Sequence, residues 1–397
     1  MKDYKDISKL YKGKTMRKIA IIGASHFQVP LIRKAKEMGL ETHVFAWECG
    51  DEGEKIADYF YPISITECEE IYQQCKRIGI EGICTIGTDL GTIPVAYVAA
   101  RMGLVGNSEE CVKQATNKHL MRQCFEENGD PSPKSIEVCG KQDIEKCEFE
   151  FPVICKPTDR SGSRGIYKVN SKKELLAVVD KSIGYSFEKK ALVEEFAEGY
   201  EYSVEYISYQ SKHHFLAMTK KYTTGSPNFI ETGHIEPAPI SDELLNKVKM
   251  TTEHALNSLG ISNGASHTEL KIDDNGQIKI IEIGARMGGD FIGSHLVQMS
   301  TGVDFVKCVI QVAMGEAPVV ERKHELDYAA VRFVLGQKDK DVYDTIEKDN
   351  PSIIVESHFE KLSDEKVVDS SSRFGYYLLK SRNRNDISKY MPVEEME

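Results

Sequence analysis

Two glutamates on either side of an Asn-Gly pair, Glu269 and Glu282, have the types and spacing to do chemistry together. They lie in GASHTELKIDDNGQIKIIEIGARMGGD, from Gly264 to Asp290. Asn275-Gly276 is a strong short-range hairpin signal, because both residues tolerate the positive φ of a type I′ turn. With those two as the turn, Asp274 faces Gln277 and Glu269 falls directly opposite Glu282. Facing carboxylates on neighbouring strands repel unless something positive sits between them. A divalent cation meets that need, and Mg²⁺ typically takes one or two protein carboxylates and fills its other positions with water and nucleotide phosphates. Arg286, shortly beyond Glu282, can then reach a phosphoryl group or a carboxylate with its planar fork. A solvent-facing hairpin with two incidental glutamates is the other reading of the same pattern.

Strand alternation puts His267, Glu269 and Lys271 on one face with Glu282, Gly284 and Arg286, and turns Leu270, Ile272, Ile281 and Ile283 into a core. Other elements must bring partners to that face. Lys156 stands alone in the buried strand FPVICKP, where an unpaired ammonium is costly, so an anion is expected beside it. Lys118 opens a helix running to about Asn128, with Thr116 and Asn117 as N-cap candidates. A lysine there opposes the helix dipole, so it either faces an anion or is a solvated surface residue. Between two strands, DRSGSRG carries Ser161, Gly162, Ser163, Arg164 and Gly165. Such a loop can wrap backbone N–H groups around phosphates, although it is no Walker loop and also reads as an ordinary flexible hairpin. The strand ALVEEF, Ala191 to Phe196, precedes a second strand, Tyr200 to Tyr209, that groups Glu201, Ser203 and Glu205 on one face as in a lined cleft. Tyr222 to Pro239 has the composition of a substrate-side loop, and Asp242 to Leu259 reads as an amphipathic helix.

The first hundred residues alternate strand and helix, beginning with KIAIIG at Lys18, and predict an open parallel sheet. Ligands bind outside the carboxyl ends of such strands, next to the loops at Gly23 to His26 and Gly87 to Asp89. GASHFQ is not a full dinucleotide fingerprint, so nicotinamide binding is a weak reading. After Gly315, strand-like runs from Tyr328 onward predict a small β-rich C-terminal part. The expected division is a polar extension (1–16), an N-terminal α/β domain (17–110), a central domain (111–320) and a C-terminal subdomain (321–397).

A net charge of −11 argues against a general nucleic-acid or anionic-membrane binder. The ten cysteines are scattered, with no Cys-x-x-Cys, and read as reduced structural thiols. No apolar run reaches the ~18 residues that span a bilayer, and the polar start lacks a signal-peptide core. A cytoplasmic location is expected by elimination.

In chain order, Lys118, Lys156, the SGSRG loop, VEEF followed by GYEYSVE, HTELK and EIGARMGG closely resemble the ATP-grasp superfamily. SSRFGYY is similar to the terminal subdomain of its biotin-carboxylase-like branch. HTELK with IEIGARMGG looks most like the carboxylate–amine ligases of the L-amino-acid ligase and carnosine-synthase-like group. The resemblance implies a central ATP-grasp unit of two α+β subdomains, with ATP between them. It implies that Lys118 and Lys156 contact phosphates and that Ser161 to Gly165 close over them. Glu194, Glu195, Phe196 and Ala197 would meet adenine, Glu201 the ribose, and Glu269 and Glu282 would hold Mg²⁺. Many relatives carry Asn two residues after the second metal carboxylate, where this chain has Gly284, so one ligand or hydrogen bond is expected to be missing.

The implied reaction joins a small-molecule carboxylate, activated as an acyl phosphate, to an amine, with amino acids as the expected substrates and ADP and phosphate released. Arg286 would stabilise the acyl phosphate, and His267 and His234 are candidates near the acceptor. Arg332 is a further candidate for binding a substrate carboxylate. The alternatives are a purine-biosynthesis or carboxylase-like enzyme activating bicarbonate or formate, and a non-catalytic ATP-binding protein. Oligomeric state stays open, with homodimers common among similar enzymes.

Overall fold

The computed structural model describes residues 16–393 except 161, 163, 227, 228, 324, 364 and 365. Strands β1 (Lys18–Ile22), β2 (Glu41–Phe45), β3 (Tyr59–Tyr61) and β4 (Gly82–Cys84) form a parallel sheet in the order β3-β2-β1-β4. Ile19 to Ile22 are all buried, as befits a strand covered on both faces by crossover helices. The strand order reverses at β1, which has β2 on one side and β4 on the other. The crevice beyond the carboxyl ends of β1 and β4 is therefore a topological switch point, where open α/β sheets bind ligands. Residues 23–26 and 87–89 border it.

Strands β5 (Ser135–Val138), β6 (Val153–Pro157), β7 (Tyr167–Val169) and β8 (Ala191–Glu195) make a small antiparallel sheet, ordered β5-β8-β6-β7. Leu175 and Val179 of the helix Lys172–Tyr185 seal one face against Val153, Cys155 and Val193.

The third sheet is antiparallel throughout: β9 (Tyr200–Tyr209), β10 (Lys212–Thr223), β11 (Glu231–Glu236), β12 (Gly264–Ile272), β13 (Ile278–Gly284), β14 (Tyr328–Phe333), β15 (Ile354–Phe359) and β16 (Gly375–Ser381). Their order is β13-β12-β9-β10-β11-β14-β16-β15, so the C-terminal strands extend the sheet beyond β11. Tyr202, Val204, Tyr206, Leu270, Ile272 and Ile283 pack one face onto Val248, Ala255 and Leu256 of the helix Asp242–Ser258. Toward the N-terminal sheet, Val306, Val309 and Ile310 of the helix Phe305–Ala313 share a core with Ile19, Leu31, Ile207 and Leu216. No single helix among the described residues is long and apolar enough to cross a membrane. All ten cysteines are free thiols.

The hairpin keeps Glu269 opposite Glu282, but by a different turn from the one expected. Asp273 Oδ1 accepts the N–H groups of Asn275 and Gln277, and Gly276 N–H donates to the Asp273 carbonyl. Residues 274–276 thus form a longer turn in which Gly276, at φ 71°, takes the left-handed position and Asn275 does not. An aspartate side chain that ties two amides favours this turn over a two-residue one. A register shift between Glu269 and Leu270 then restores the facing glutamates. The same shift corrects the expected core: Ile280 pairs with Leu270 and is fully buried, whereas Ile281 is only half-buried.

Tyr222 to Pro239 is not simply a loop. It contains β11, whose backbone pairs with both β10 and β14. Burying the segment around Ile235 demands partners for its amides, and a strand between two others supplies them.

Candidate functional site

Alternation on the central sheet gathers its polar residues on the face opposite the helix Asp242–Ser258. The register sets Lys221 beside His234, His267 beside Glu205, Glu269 beside Ser203, and Glu282 beside Glu269. A row of ionisable groups therefore crosses strands β11, β10, β9, β12 and β13. Elements from the other two sheets close on this row.

Lys118 reaches it from the first turn of the helix Lys118–Asn128. Asn117 caps that helix, its Oδ1 accepting from the amides of His119 and Leu120. Lys118 Nζ donates to Glu282 Oε1 at 2.8 Å and to the Arg160 carbonyl at 2.8 Å. It is buried, which removes the solvated-lysine reading. Lys156 has the anion its burial required: Glu194 lies 2.5 Å away. Arg122, 2.9 Å from the same carboxylate, also donates to the Ile281 carbonyl at 2.7 Å. Burial outweighs the attraction of Glu194 and lowers the Lys156 pKa. Burial works against the Glu194 charge too, but Arg122 and Lys156 prevail and hold its pKa down.

At the centre Lys221 sits 2.6 Å from Glu269, 2.9 Å from Glu201 and 3.9 Å from Glu231. Burial disfavours its charge, yet Glu201, Glu269 and Glu231 together raise its pKa well above the ordinary lysine value. His267 Nδ1 pairs with the fully buried Glu205, whose other oxygen accepts the Gly288 amide at 3.0 Å. His267 Nε2 lies 3.3 Å from Glu269. Burial again opposes the charge, but Glu205 and Glu269 bring the His267 pKa up to about 9. Arg286 forms a two-point pair with Asp89, from the loop after β4. Arg373 lies 2.8 Å from Glu231 and 2.9 Å from Asp290, with its guanidinium stacked 3.7 Å from the centre of the Phe333 ring. His234 is fully buried with neither ring nitrogen hydrogen-bonded, edge-on to Phe333. Burial takes its pKa down to about 3, so it is neutral.

Around the connection from β8 to β9, Glu195 is 3.0 Å from Lys279, and the Phe196 ring lies under Lys168 and Lys271. Ala197 is buried. In the SGSRG loop Gly162 and Gly165 have φ of 74° and 73°, and Arg164 is exposed. Ser161 and Ser163 lie outside the described residues. Glu201 joins the central cluster through Lys221.

Arg332, expected near the substrate, is not there. It projects from the opposite face of β14 to Val331 and His234, and is held by Asp339 at 2.8 Å and by the Tyr390 carbonyl. Sequence reasoning missed Lys221, Arg122, Glu231, Asp290 and Arg373. Lys221 carried a usable signal, since a lysine inside a strand asks for an anion as Lys156 did. Arg373, Glu231 and Asp290 are far apart in the chain and carried none.

The facing carboxylates form an all-oxygen donor pair in which each already balances a cationic side chain. That chemistry fits a hard divalent ion. Gly284 adds no donor.

A family model described as "ATP-grasp domain" matches residues 149–294, which include Lys156, Glu194, Lys221, Glu269, Glu282 and Arg286. The chain carries an ATP-grasp domain. Alanine–anticapsin ligase of Bacillus subtilis is 28% identical over 269 residues, covering 62% of this chain and 56% of that protein. The chain thus spans little more than half the length of that curated relative. L-amino acid ligase from Bacillus licheniformis has a crystal structure that matches with a TM-score of 0.79 at 22% identity, covering 95% of this chain and 96% of that one. The ADP complex of N5-carboxyaminoimidazole ribonucleotide synthetase gives 0.76 at 16%, covering 94% and 95%. These likenesses extend the ATP-grasp fold well beyond the matched domain: an N-terminal parallel α/β sheet, a central pair of antiparallel sheets, and C-terminal strands joined to the larger of them.

Proposed function

We propose that this protein is an ATP-dependent carboxylate–amine ligase that joins amino acids or similar small molecules through an acyl phosphate. The observation that carries the reading is the row on the central sheet: facing Glu269 and Glu282 with buried Lys221 inside the matched ATP-grasp domain, and buried Lys118 reaching Glu282 from outside it. The similarity to alanine–anticapsin ligase supports amino acids as substrates.

In this reading Lys118 and Lys156 take nucleotide phosphates, the loop carrying Gly162, Arg164 and Gly165 lies beside them, the backbone of residues 194–197 meets adenine, and Glu201 meets the ribose. Glu269 and Glu282 hold Mg²⁺, which supplies charge neutralisation while the phosphoryl group moves. The γ-phosphoryl of ATP passes to a carboxylate oxygen of the first substrate, leaving ADP. Lysines already desolvated and aimed at the site stabilise the developing charge without reorganising. Arg286 offers its fork to the acyl phosphate. The neutral amine of the second substrate attacks the acyl carbon, the carbon–oxygen bond to phosphate breaks, and the departing phosphate takes the proton that the nitrogen gives up, leaving the amide.

His267, held by the buried Glu205 that also takes the Gly288 amide, lines the carboxylate row next to Glu269. His234, neutral and fully buried against Phe333, packs beneath the row rather than touching substrate.

The test is ADP and phosphate release with Mg·ATP and pooled amino acids, with and without hydroxylamine to trap an acyl phosphate. Release that depends on an amino acid, with hydroxamate formed, is the expected outcome. Turnover that instead requires bicarbonate or formate would move the protein to the carboxylase-like reading. Tight ATP binding with no ADP under any mixture would make it a non-catalytic binder.

A further inference from the structure

Arg286 lies two residues beyond the end of β13, and its pairing with Asp89 uses a particular edge. Its Nε–H donates to Oδ1 at 2.7 Å and its Nη2 to Oδ2 at 3.1 Å. Beside this pair the Gly87 amide donates to the Met287 carbonyl at 3.3 Å, so the loop after β4 is docked along the end of the hairpin. A Cβ on Gly284 would lie 2.8 Å from Asp89 Oδ1 and 3.0 Å from Arg286 Nε. Gly284 is not at positive φ, so its backbone does not call for glycine. Space does.

A guanidinium has five N–H donors in a rigid fork. Side-on pairing with Asp89 commits the Nε–Nη2 side, and Nη1 also lies 3.4 Å from the Met287 carbonyl. The Nη1–Nη2 end remains for another anion. We infer that Asp89 is a positioning residue for Arg286, fixing which edge of the guanidinium meets the phosphoryl or carboxylate group. Gly284 is glycine because the Asp89 carboxylate occupies the space of its side chain. The arginine is thus oriented from the N-terminal sheet, and the site is complete only with the 87–89 loop docked. The identity of the anion rests on the ligase reading; the packing of Asp89, Gly284 and Arg286 does not.

A thermal-denaturation cycle tests the packing without turnover. Gly284→Ala is expected to lower Tm by about 3 °C in the parent chain and by under ~1 °C once Asp89→Ala is present. Equal losses in both backgrounds overturn the steric argument. Positioning is tested with Asp89→Asn, which keeps the shape and removes the charge. The Arg286 Nε–H, followed by ¹⁵N NMR, is expected to exchange slowly with solvent in the parent and to lose that protection in the variant; unchanged protection refutes the role. In the ligase assay the same variant is expected to trap about 100-fold less hydroxamate with the KM for ATP within ~3-fold of the parent. An unchanged hydroxamate rate, or an equal loss in ATP affinity, overturns the proposal. If the parent forms no hydroxamate with any acid, the ligase reading fails, while the Tm cycle and the NMR still decide the role of Asp89.

Discussion

With Glu201, Glu231 and Glu269 gathered around one buried ammonium, removing Lys221 would leave several carboxylates facing one another in a poorly hydrated site. Breaking a buried ion pair costs on the order of 3–5 kcal/mol. Lys221→Met is expected to lose about that much in urea denaturation, and a loss below ~1 kcal/mol would show that the carboxylates rearrange freely. Glu282→Gln tests the site differently: it should keep the fold and cut ADP formation at least ~100-fold, and near-normal turnover would remove Glu282 from metal binding. Glu236 provides a pH test. It is fully buried, and burial takes its pKa up to about 8 even though Ser300 and Thr219 donate to it. A carboxyl whose folded pKa exceeds its unfolded value binds more protons when folded, so its contribution is present below about pH 4.3 and is lost as pH rises toward 8. Glu236→Gln should therefore gain stability relative to the parent as pH rises through that window. A pH-independent difference between the two would contradict the shift.

The elements that deliver these side chains depend on local devices that read well from sequence. Asn117 was legible as an N-cap, and it places Lys118 in the first turn by holding two amides. Asn117→Ala should cost about 1 kcal/mol and raise the KM for ATP, as measured by denaturation and initial rates; an unchanged KM would mean Lys118 is held by Glu282 and the Arg160 carbonyl alone. The hairpin was legible in kind and in its facing glutamates, but not in its turn. Asp273 closes a longer turn, and a register shift three pairs further along the ladder compensates, so two local departures cancel where the glutamates meet. The strand β11 was hidden in a segment rich in Thr, Gly, Pro and His, because what makes it a strand is two neighbours far away in the chain.

At the scale of the molecule, three sheets converge on one polar face: the small antiparallel sheet brings Lys156, the parallel sheet brings Asp89, and the central sheet carries the row between them. A ligand held among them should stabilise the assembled state. Mg·ATP at one hundred times its Kd is expected to add about 2.7 kcal/mol, seen as a rise in Tm that grows with nucleotide concentration. Absence of any shift at millimolar Mg·ATP would count against nucleotide binding.

What the chain declares by itself are features set by near neighbours. The alternation of the first hundred residues, a hairpin around Asn275-Gly276, and the need of Lys156 for an anion all follow from strand period, helix period and the cost of burying charge. Tertiary structure alone decided which charges balance which. Lys221 meets Glu231, Glu201 and Glu269 from three other strands, Arg286 takes Asp89 from another sheet, and Arg373 joins Asp290 and Glu231. Each partner lies on a different element, so no local pattern announces it. The loss of solvent that makes these pairs strong, and leaves His234 neutral and alone, arises only when the sheets close over them.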